Sequence, residues 1–300
     1  MSYRIEKYLS LPKVNQEDYL KGKSEQEKHD IFLEILHNKV HGFCFSLYEE
    51  GQKPGDKVTP EQVYRRMRIL KPHTQWIRSF SSTDGNELIP KIAKELGMNT
   101  LVGAWLSDDA DCNEREIEGL IDLANKGLVD IAAVGNEVLY RKDLSEHQLL
   151  SFIDRVKKAI PHIPVGYVDA YYEFSARPAI TEMCDIILAN CYPFWESCPF
   201  ENSLSYLKEM YDQTVKVSNG KKILITETGW PSEGERLGEA TPTKMNAFEY
   251  FINTQLWAMD KNIECFYFSS FDESWKVNAE GQVGAYWGIW NKDEQLKYSL

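Results

Sequence analysis

Cysteine is scarce in this sequence: six residues among 300, scattered along the chain. They form no Cys-x-x-Cys metal knuckle and no dense disulfide framework. We therefore predict buried free thiols, as in the apolar run of residues 42–45, and leave open a bridge between Cys191 and Cys198. His37 and His41 have helical spacing, but the glutamate that follows the first histidine of a zinc-protease helix is missing. The sequence therefore predicts no metal site.

Long apolar runs are also missing. No uncharged apolar stretch reaches about 18 residues, so no membrane-spanning helix is predicted. Residues 1–12 mix Arg4, Glu6 and Lys7 among their apolar residues, which does not fit a signal peptide. A chain trimmed to its mature form would look the same, so this segment leaves the compartment open.

Positive charge is in deficit, with 34 Lys and Arg against 46 Asp and Glu and a formal net charge of -12. Such a chain repels phosphate backbones and anionic lipid, so we expect neither nucleic acid nor a membrane as a partner. No glycine-rich nucleotide fingerprint follows a predicted strand, and no Gly-x-Ser-x-Gly elbow is present. We expect a monomer that needs no cofactor and binds a neutral ligand.

What is present is a large apolar fraction, 43% of the residues, in a repeating strand and helix pattern. Residues 1–39 are polar except for the amphipathic segment at residues 31–36, and we predict an N-terminal extension packed on the main domain. Residues 40–300 are predicted to form that domain. Capping signals place helix starts at Thr59, Asn113, Ser145 and Thr241.

Eight strands alternate with these helices, and no Pro/Gly/Ser linker interrupts them. The pattern favours a single α/β domain, a (β/α)8 TIM barrel, over the alternative of an open doubly wound sheet. The predicted strands are residues 40–48, 75–80, 100–105, 128–137, 165–168, 186–190, 223–227 and 263–269.

Two glutamates stand where predicted strands end. Glu137 closes the fourth strand, and Glu227 closes the seventh, just before a turn shaped by Gly229 and Pro231. Because the C-terminal ends of barrel strands open on one face, both carboxyl groups point at the same mouth. Cleavage of a glycosidic bond needs such a pair, one protonated and one ionised.

Aromatic and polar side chains follow the other strand ends, and such groups stack on sugar rings and hold their hydroxyls. Trp76 and Trp257 are instead predicted for the core, because one lies within a strand and the other on a helix stripe. Arg78 fits a sugar contact and an ion pair inside the barrel equally well. The residues predicted to bind substrate from their position are Tyr48, Arg78, Tyr192, Trp195, Trp230 and Trp275.

Five segments in this order resemble the signature of glycoside hydrolase family 17, the β-1,3-glucanases, and its bacterial branch most closely. The likeness extends from the first strand to the C-terminus. The segments are residues 134–137, 190–194, 227–232, 271–276 and 287–289.

The resemblance implies a role for each matching residue. Glu137 is expected to be the general acid/base and Glu227 the nucleophile of a retaining mechanism. Asn136 is expected to hydrogen-bond the sugar 2-hydroxyl, and Glu273 with Lys276 to support the catalytic carboxylates and the substrate.

The expected activity is that of a retaining endo-β-1,3-glucanase acting on laminarin-like glucans. The alternative is a β-1,3-glucanosyltransferase with the same two glutamates, and a third possibility is a barrel that binds glucan without catalysis. A polymer substrate favours a secreted or periplasmic location.

Overall fold

The computed structural model describes residues 19–298. Its centre is a closed barrel in which each of eight parallel strands pairs with the next and β1 pairs with β8. The predicted TIM barrel is thereby confirmed. The strands are β1 (Val40–Cys44), β2 (Thr74–Ser79), β3 (Asn99–Ala104), β4 (Ile131–Asn136), β5 (Val165–Ala170), β6 (Ile187–Asn190), β7 (Ile223–Thr228) and β8 (Cys265–Tyr267).

The strands read as continuous apolar runs because helices cover the outside of the barrel while side chains fill its inside. Every residue of β4 and β7 is buried. Five strands end earlier than predicted, at Cys44, Ser79, Ala104, Asn136 and Tyr267. Apolar residues such as Phe45 and Leu47 continue past the strand into a buried loop, and the sequence pattern does not separate the two.

Ten α-helices occur within residues 19–298, most of them between consecutive strands. A short helix pair follows β5, and a very short helix lies in the loop after β8. The helices are α1 (Glu25–His37), α2 (Pro60–Leu70), α3 (Leu88–Glu95), α4 (Ala110–Asn125), α5 (Glu146–Ala159), α6 (Tyr171–Ala176), α7 (Pro178–Met183), α8 (Ser203–Val217), α9 (Lys244–Lys261) and α10 (Val277–Glu280).

Two of the four predicted helix starts are confirmed. Thr59 caps α2, with its side chain accepting a hydrogen bond from the Gln62 amide. Ser145 and Gln148 form a reciprocal capping box at α5.

The other two predicted starts are wrong. Helix α4 begins earlier, because Asp109 accepts from the Cys112 amide while the side chain of Asn113 bonds the backbone of Ser107. Helix α9 is capped by Thr243, not Thr241. In each case two suitable caps stand close together in the sequence, and the sequence pattern alone does not choose between them.

Helix α1 packs on α9 through one phenylalanine. Phe32 is fully buried, and its ring lies 5.4 Å from both Phe248 and Phe251 and 5.6 Å from Tyr298, measured between centroids. The first part of the predicted extension, residues 1–18, lies outside the described residues.

None of the six cysteines, all of which lie within residues 19–298, forms a disulfide, so the alternative of a Cys191–Cys198 bridge is not realised. Five of them are buried and only Cys112, in the first turn of α4, is partly exposed. Across residues 19–298 no helix is both long and apolar enough to cross a membrane. Within the same residues, no cluster of three or more His, Cys, Asp or Glu side chains suits a metal ion.

Replacement of Phe32 by alanine should lower the free energy of unfolding by about 3 to 5 kcal/mol, since it leaves a cavity between α1 and α9. Leu33→Ala on the exposed face of the same helix is the matched control and should cost little, because Leu33 is 42% exposed. Chemical denaturation measures both. Equal losses for the two variants would show that α1 is not anchored through Phe32.

Candidate active site

An irregular register between β6 and β7 brings the side chains of Asn190 and Glu227 together. The pairing shifts between Ala189↔Ile225 and Asn190↔Glu227, so that the last residue of β6 lies opposite Glu227. Bulges of this kind re-aim side chains and are frequent beside active sites. Glu227 is buried, with 6% of its surface exposed.

Glu137 follows β4 in a left-handed backbone conformation, with φ at 54°, and Gly135 two residues earlier also has positive φ. A non-glycine residue in this region is strained and is held by its surroundings. Here the Glu137 amide donates to the carbonyl oxygen of Val168 on β5 at 2.8 Å. The strand therefore turns sharply at its exit and directs the Glu137 carboxyl into the barrel mouth.

One amide nitrogen joins the two carboxyl groups. Asn190 Nδ2 donates to Glu137 Oε1 at 2.8 Å and to Glu227 Oε1 at 3.0 Å. Two oxygens that share one nitrogen cannot lie farther apart than the two bonds end to end, about 5.8 Å. Retaining glycosidases hold their carboxyl groups about 5 to 5.5 Å apart and inverting ones roughly 6.5 to 9.5 Å apart. The Asn190 bridge therefore fits retention.

Glu227 accepts two further hydrogen bonds, from Arg78 Nη1 at 2.8 Å and from the Tyr192 hydroxyl at 2.8 Å. Arg78 is 1% exposed and its Nη2 donates to Asn136 Oδ1 at 2.7 Å. The sequence left two interpretations of Arg78 open, a sugar contact and an ion pair. The structure shows the ion pair, formed with Glu227 inside the barrel. Arg78 therefore links the side chains of Glu227 and Asn136.

The two carboxyl groups have different surroundings. Burial raises the pKa of Glu137 to about 7, with a further rise from the nearby Glu227 charge, while the Asn190 hydrogen bond acts against the shift. A carboxyl group with such a pKa is about half protonated at neutral pH and can deliver its proton. This is the property that a general acid requires.

Glu273 and Lys276 form a buried ion pair of 2.7 Å in the loop after β8. Burial lowers the pKa of Lys276, but the charges of Glu273 and Glu280 outweigh it and raise the pKa overall. The ammonium lies 4.2 Å from the centroid of the Phe268 ring, and Glu273 accepts from the Tyr48 amide. The pair thus braces the loop that forms one wall of the site.

A cavity of about 810 Å³ opens at the C-terminal face of the barrel and contains both carboxyl groups. Four of the predicted site residues line it: Glu137, Tyr192, Trp195 and Glu227. A groove of similar size on the outside of the barrel, between α3 and α4, lies away from both glutamates. The remaining residues of the catalytic cavity are Tyr140, Ala170, Tyr171, Tyr172, Asn190, Glu196, Phe268, Ala279 and Glu280.

The prediction that Trp230 forms a sugar-binding wall is wrong. Trp230 is 1% exposed, its Nε1 donates to the Thr241 carbonyl at 3.0 Å, and its ring packs on Phe194 and Tyr250. Trp230 therefore packs in the core and supports the loop after β7. Tyr48 and Trp275 contact each other with ring centroids 5.8 Å apart, and neither is among the residues that line the cavity.

Asn190 and Glu280 line the cavity but were not predicted as site residues. Asn190 ends β6 within one of the family-like segments, so the strand-exit rule that found Glu137 and Glu227 also applies to it. Glu280 gives no such signal, because it ends the short helix α10 far from any strand. Its carboxyl accepts from Trp287 Nε1 at 3.0 Å, and burial raises its pKa to about 7.

A TIM barrel with a protonated and a hydrogen-bonded carboxyl group at its C-terminal face has the construction of a glycoside hydrolase. The sequence profile of the BtgE/BtgC glycoside hydrolase domain matches residues 42–288. The chain belongs to this family.

Similar proteins agree with this assignment. A glucan 1,3-beta-glucosidase of Schizosaccharomyces pombe is 30% identical over 77% of this chain and 78% of its own length. Glucan 1,3-beta-glucosidase BGL2 of Candida albicans is 27% identical over 77% of this chain and 83% of its own. These relatives are fungal, and the narrower bacterial-branch assignment stays a prediction.

Among solved structures, a glycoside hydrolase family 17 beta-1,3-glucanosyltransferase from Rhizomucor miehei superposes with a TM-score of 0.79 at 29% identity. The match covers 87% of this chain and 96% of that protein, and an active-site mutant of the same enzyme was solved with laminaritriose. The predicted membership of family 17 is confirmed.

The carboxyl group of Glu137 should titrate near pH 7, and replacing Glu227 by glutamine should lower that pKa by about one unit because a nearby negative charge is removed. Carbon-13 NMR of protein labelled in its glutamate carboxyls measures this directly, with the signal assigned by its loss in Glu137→Gln. Glu239→Gln, an exposed site in the loop after β7, should leave the titration unchanged. A midpoint near 4.5 in the unaltered protein would contradict the account.

Proposed function

We propose that this protein cleaves internal β-1,3-glucosidic bonds of laminarin-like glucans with retention of anomeric configuration. The observation that carries the proposal is the Asn190 amide shared by Glu137 and Glu227, which keeps their bonded Oε1 atoms within about 5.8 Å of each other, short of the inverting range of roughly 6.5 to 9.5 Å. The printed names of the relatives, glucan 1,3-beta-glucosidases, support the linkage.

In the first step the Glu227 carboxylate attacks the anomeric carbon while Glu137 donates its proton to the departing glycosidic oxygen. The sugar is then held as a covalent ester on Glu227. In the second step Glu137 removes a proton from the incoming water, whose oxygen displaces Glu227. The hydrogen bonds from Arg78, Asn190 and Tyr192 fix the Glu227 oxygens in position for both steps.

Side chains around the cavity suit a neutral sugar chain. Tyr140 and Trp195 are 56% and 38% exposed and offer ring faces for pyranose stacking. The opening of the cavity at the barrel face is compatible with binding within a polymer. We further propose that residues 40–300 form the catalytic domain, that it acts as a monomer, and that it meets its polymer outside the cytoplasm.

Transfer to a second glucan is the alternative fate of the same ester. The Rhizomucor miehei neighbour is named a beta-1,3-glucanosyltransferase, and it matches this chain over most of both lengths. In transfer, Glu137 removes the proton from a sugar hydroxyl instead of water, and the rest of the chemistry is unchanged.

Glu227→Ala and Glu137→Ala should each reduce laminarin cleavage by about a thousandfold or more, since each removes one reacting group. Azide separates the two roles on an aryl β-laminaribioside. With Glu227→Ala it should displace the aryl group directly to give the α-glycosyl azide. With Glu137→Ala it should trap the ester on Glu227 to give the β-glycosyl azide.

Glu239→Gln is the control and should retain full activity, because the side chain is exposed and pairs with Arg236 at the surface. Circular dichroism confirms that each variant is folded. Azide products of the opposite configurations would exchange the roles of the two glutamates. Glucan binding without any release of reducing ends by the unaltered protein would instead favour the barrel that binds without catalysis.

Incubation with a laminari-oligosaccharide labelled at its reducing end should give shorter products when water is the acceptor. Mass spectrometry sizes them over time at several substrate concentrations. Products longer than the starting oligosaccharide, increasing with its concentration, would assign the transferase activity instead. Products shortened by one glucose at a time would contradict internal cleavage.

A further inference from the structure

Three hydrogen bonds attach the loop that carries Glu137 to the neighbouring strand β5. The Glu137 amide donates to Val168 O at 2.8 Å, the Leu139 amide to the Tyr167 hydroxyl at 3.0 Å, and the Tyr140 amide to Asp169 Oδ2 at 3.3 Å. Two of the three acceptors are side chains. The strained backbone at Glu137 is therefore fixed by the chemistry of β5 and not by the strand ladder alone.

Asp169 itself is fully buried at the end of β5. Its Oδ2 also accepts from the Tyr167 hydroxyl, and its Oδ1 accepts from the Ala170 amide at 2.7 Å. Within residues 19–298 no lysine, arginine or histidine forms an ion pair with it. A buried carboxyl without a cation is costly, and burial raises the pKa of Asp169 to about 6. For loop anchoring alone a neutral acceptor would suffice.

We propose that Asp169 and Tyr167 are positioning residues for Glu137: the pair holds the loop, and the Asp169 charge helps Glu137 keep its catalytic proton. This inference rests on the proposed acid/base role of Glu137. Neither side chain lines the catalytic cavity, so both act through Glu137 and not on the sugar.

The groups that shift the pKa of Glu137 come from several elements. Glu227 on β7 and Asp169 on β5 raise the pKa of Glu137, while Asn190 on β6 and Arg141 on its own loop lower it. Glu173 on α6 faces Asp169 and disfavours its ionised form. Burial and the Asp169 charge raise the pKa of Tyr167, so its hydroxyl stays a donor to Asp169 over the working range.

The sign of the effect follows from these charges. Loss of the negative charge at position 169 makes ionisation of Glu137 easier and lowers its pKa. The protonated acid then disappears at a lower pH, and the alkaline limb of the kcat/KM profile moves in the same direction. A loop anchor without electrostatic influence would change the height of the profile but not its position.

The test uses the full chain with Asp169→Asn, which keeps an oxygen acceptor for the loop and removes the charge. The Glu137 carboxyl signal in carbon-13 NMR should titrate about half a pH unit lower than in the unaltered protein, without any substrate present. On laminarin the alkaline limb should shift by the same amount while KM changes little. An unshifted titration in a folded Asp169→Asn variant overturns the electrostatic role.

Tyr167→Phe separates hydrogen bonding from charge. It removes the acceptor of the Leu139 amide, but it also removes a hydrogen bond that lowers the pKa of Asp169. The comparison is therefore made on the alkaline side of the pH optimum, where the Asp169 carboxyl stays ionised, and kcat should fall about tenfold there. An unchanged kcat overturns the anchoring role of Tyr167.

Asp185→Asn is the matched control, because Asp185 accepts from the Val165 amide at the opposite end of the same strand. It should leave the Glu137 titration in place, and an equal shift there would overturn the proposal. Because the NMR titration needs no substrate, it remains decisive even when the unaltered protein shows no activity on laminarin, an outcome that counts against the proposed function alone.

Discussion

Two carboxyl groups that share one amide donor repel each other when both are charged, and the site resolves this repulsion by treating them unequally. Glu227 accepts hydrogen bonds from Arg78, Asn190 and Tyr192, whereas the Glu137 carboxyl accepts one from Asn190. The shared proton is therefore most stable on Glu137. This asymmetry is the basis of the proposed roles, Glu137 as the acid and Glu227 as the nucleophile.

The barrel was predictable from the sequence because its determinants are local or repeated. A strand covered on both faces reads as an apolar run, and a capping residue such as Ser145 marks a helix start within a few residues. The failures at Asn113 and Thr241 have a common cause. Each lies within a few residues of a competing cap, Asp109 or Thr243, and the sequence pattern alone does not choose between the two.

That Glu137 and Glu227 lie together was predictable because strand exits meet on one face, but the remaining geometry was not. The register shift that sets Asn190 opposite Glu227 has no recognisable pattern in the sequence from which it could be predicted. Trp230 illustrates the opposite error, since a tryptophan after a strand exit can turn inward as easily as outward. Glu280 lines the cavity from α10, and no periodicity or spacing in the sequence indicates that it lies there.

The distribution of thiols offers an experimental handle. Cys112 is the one partly exposed cysteine, and it sits in the first turn of α4, the helix that follows β3 on the same face as the barrel mouth. Burial and the neighbouring Glu116 raise its pKa, so coupling to a maleimide dye is favoured by mildly alkaline buffer. The sequence thus offers one thiol for a single fluorophore at the end of α4 that follows β3, without any engineered residue.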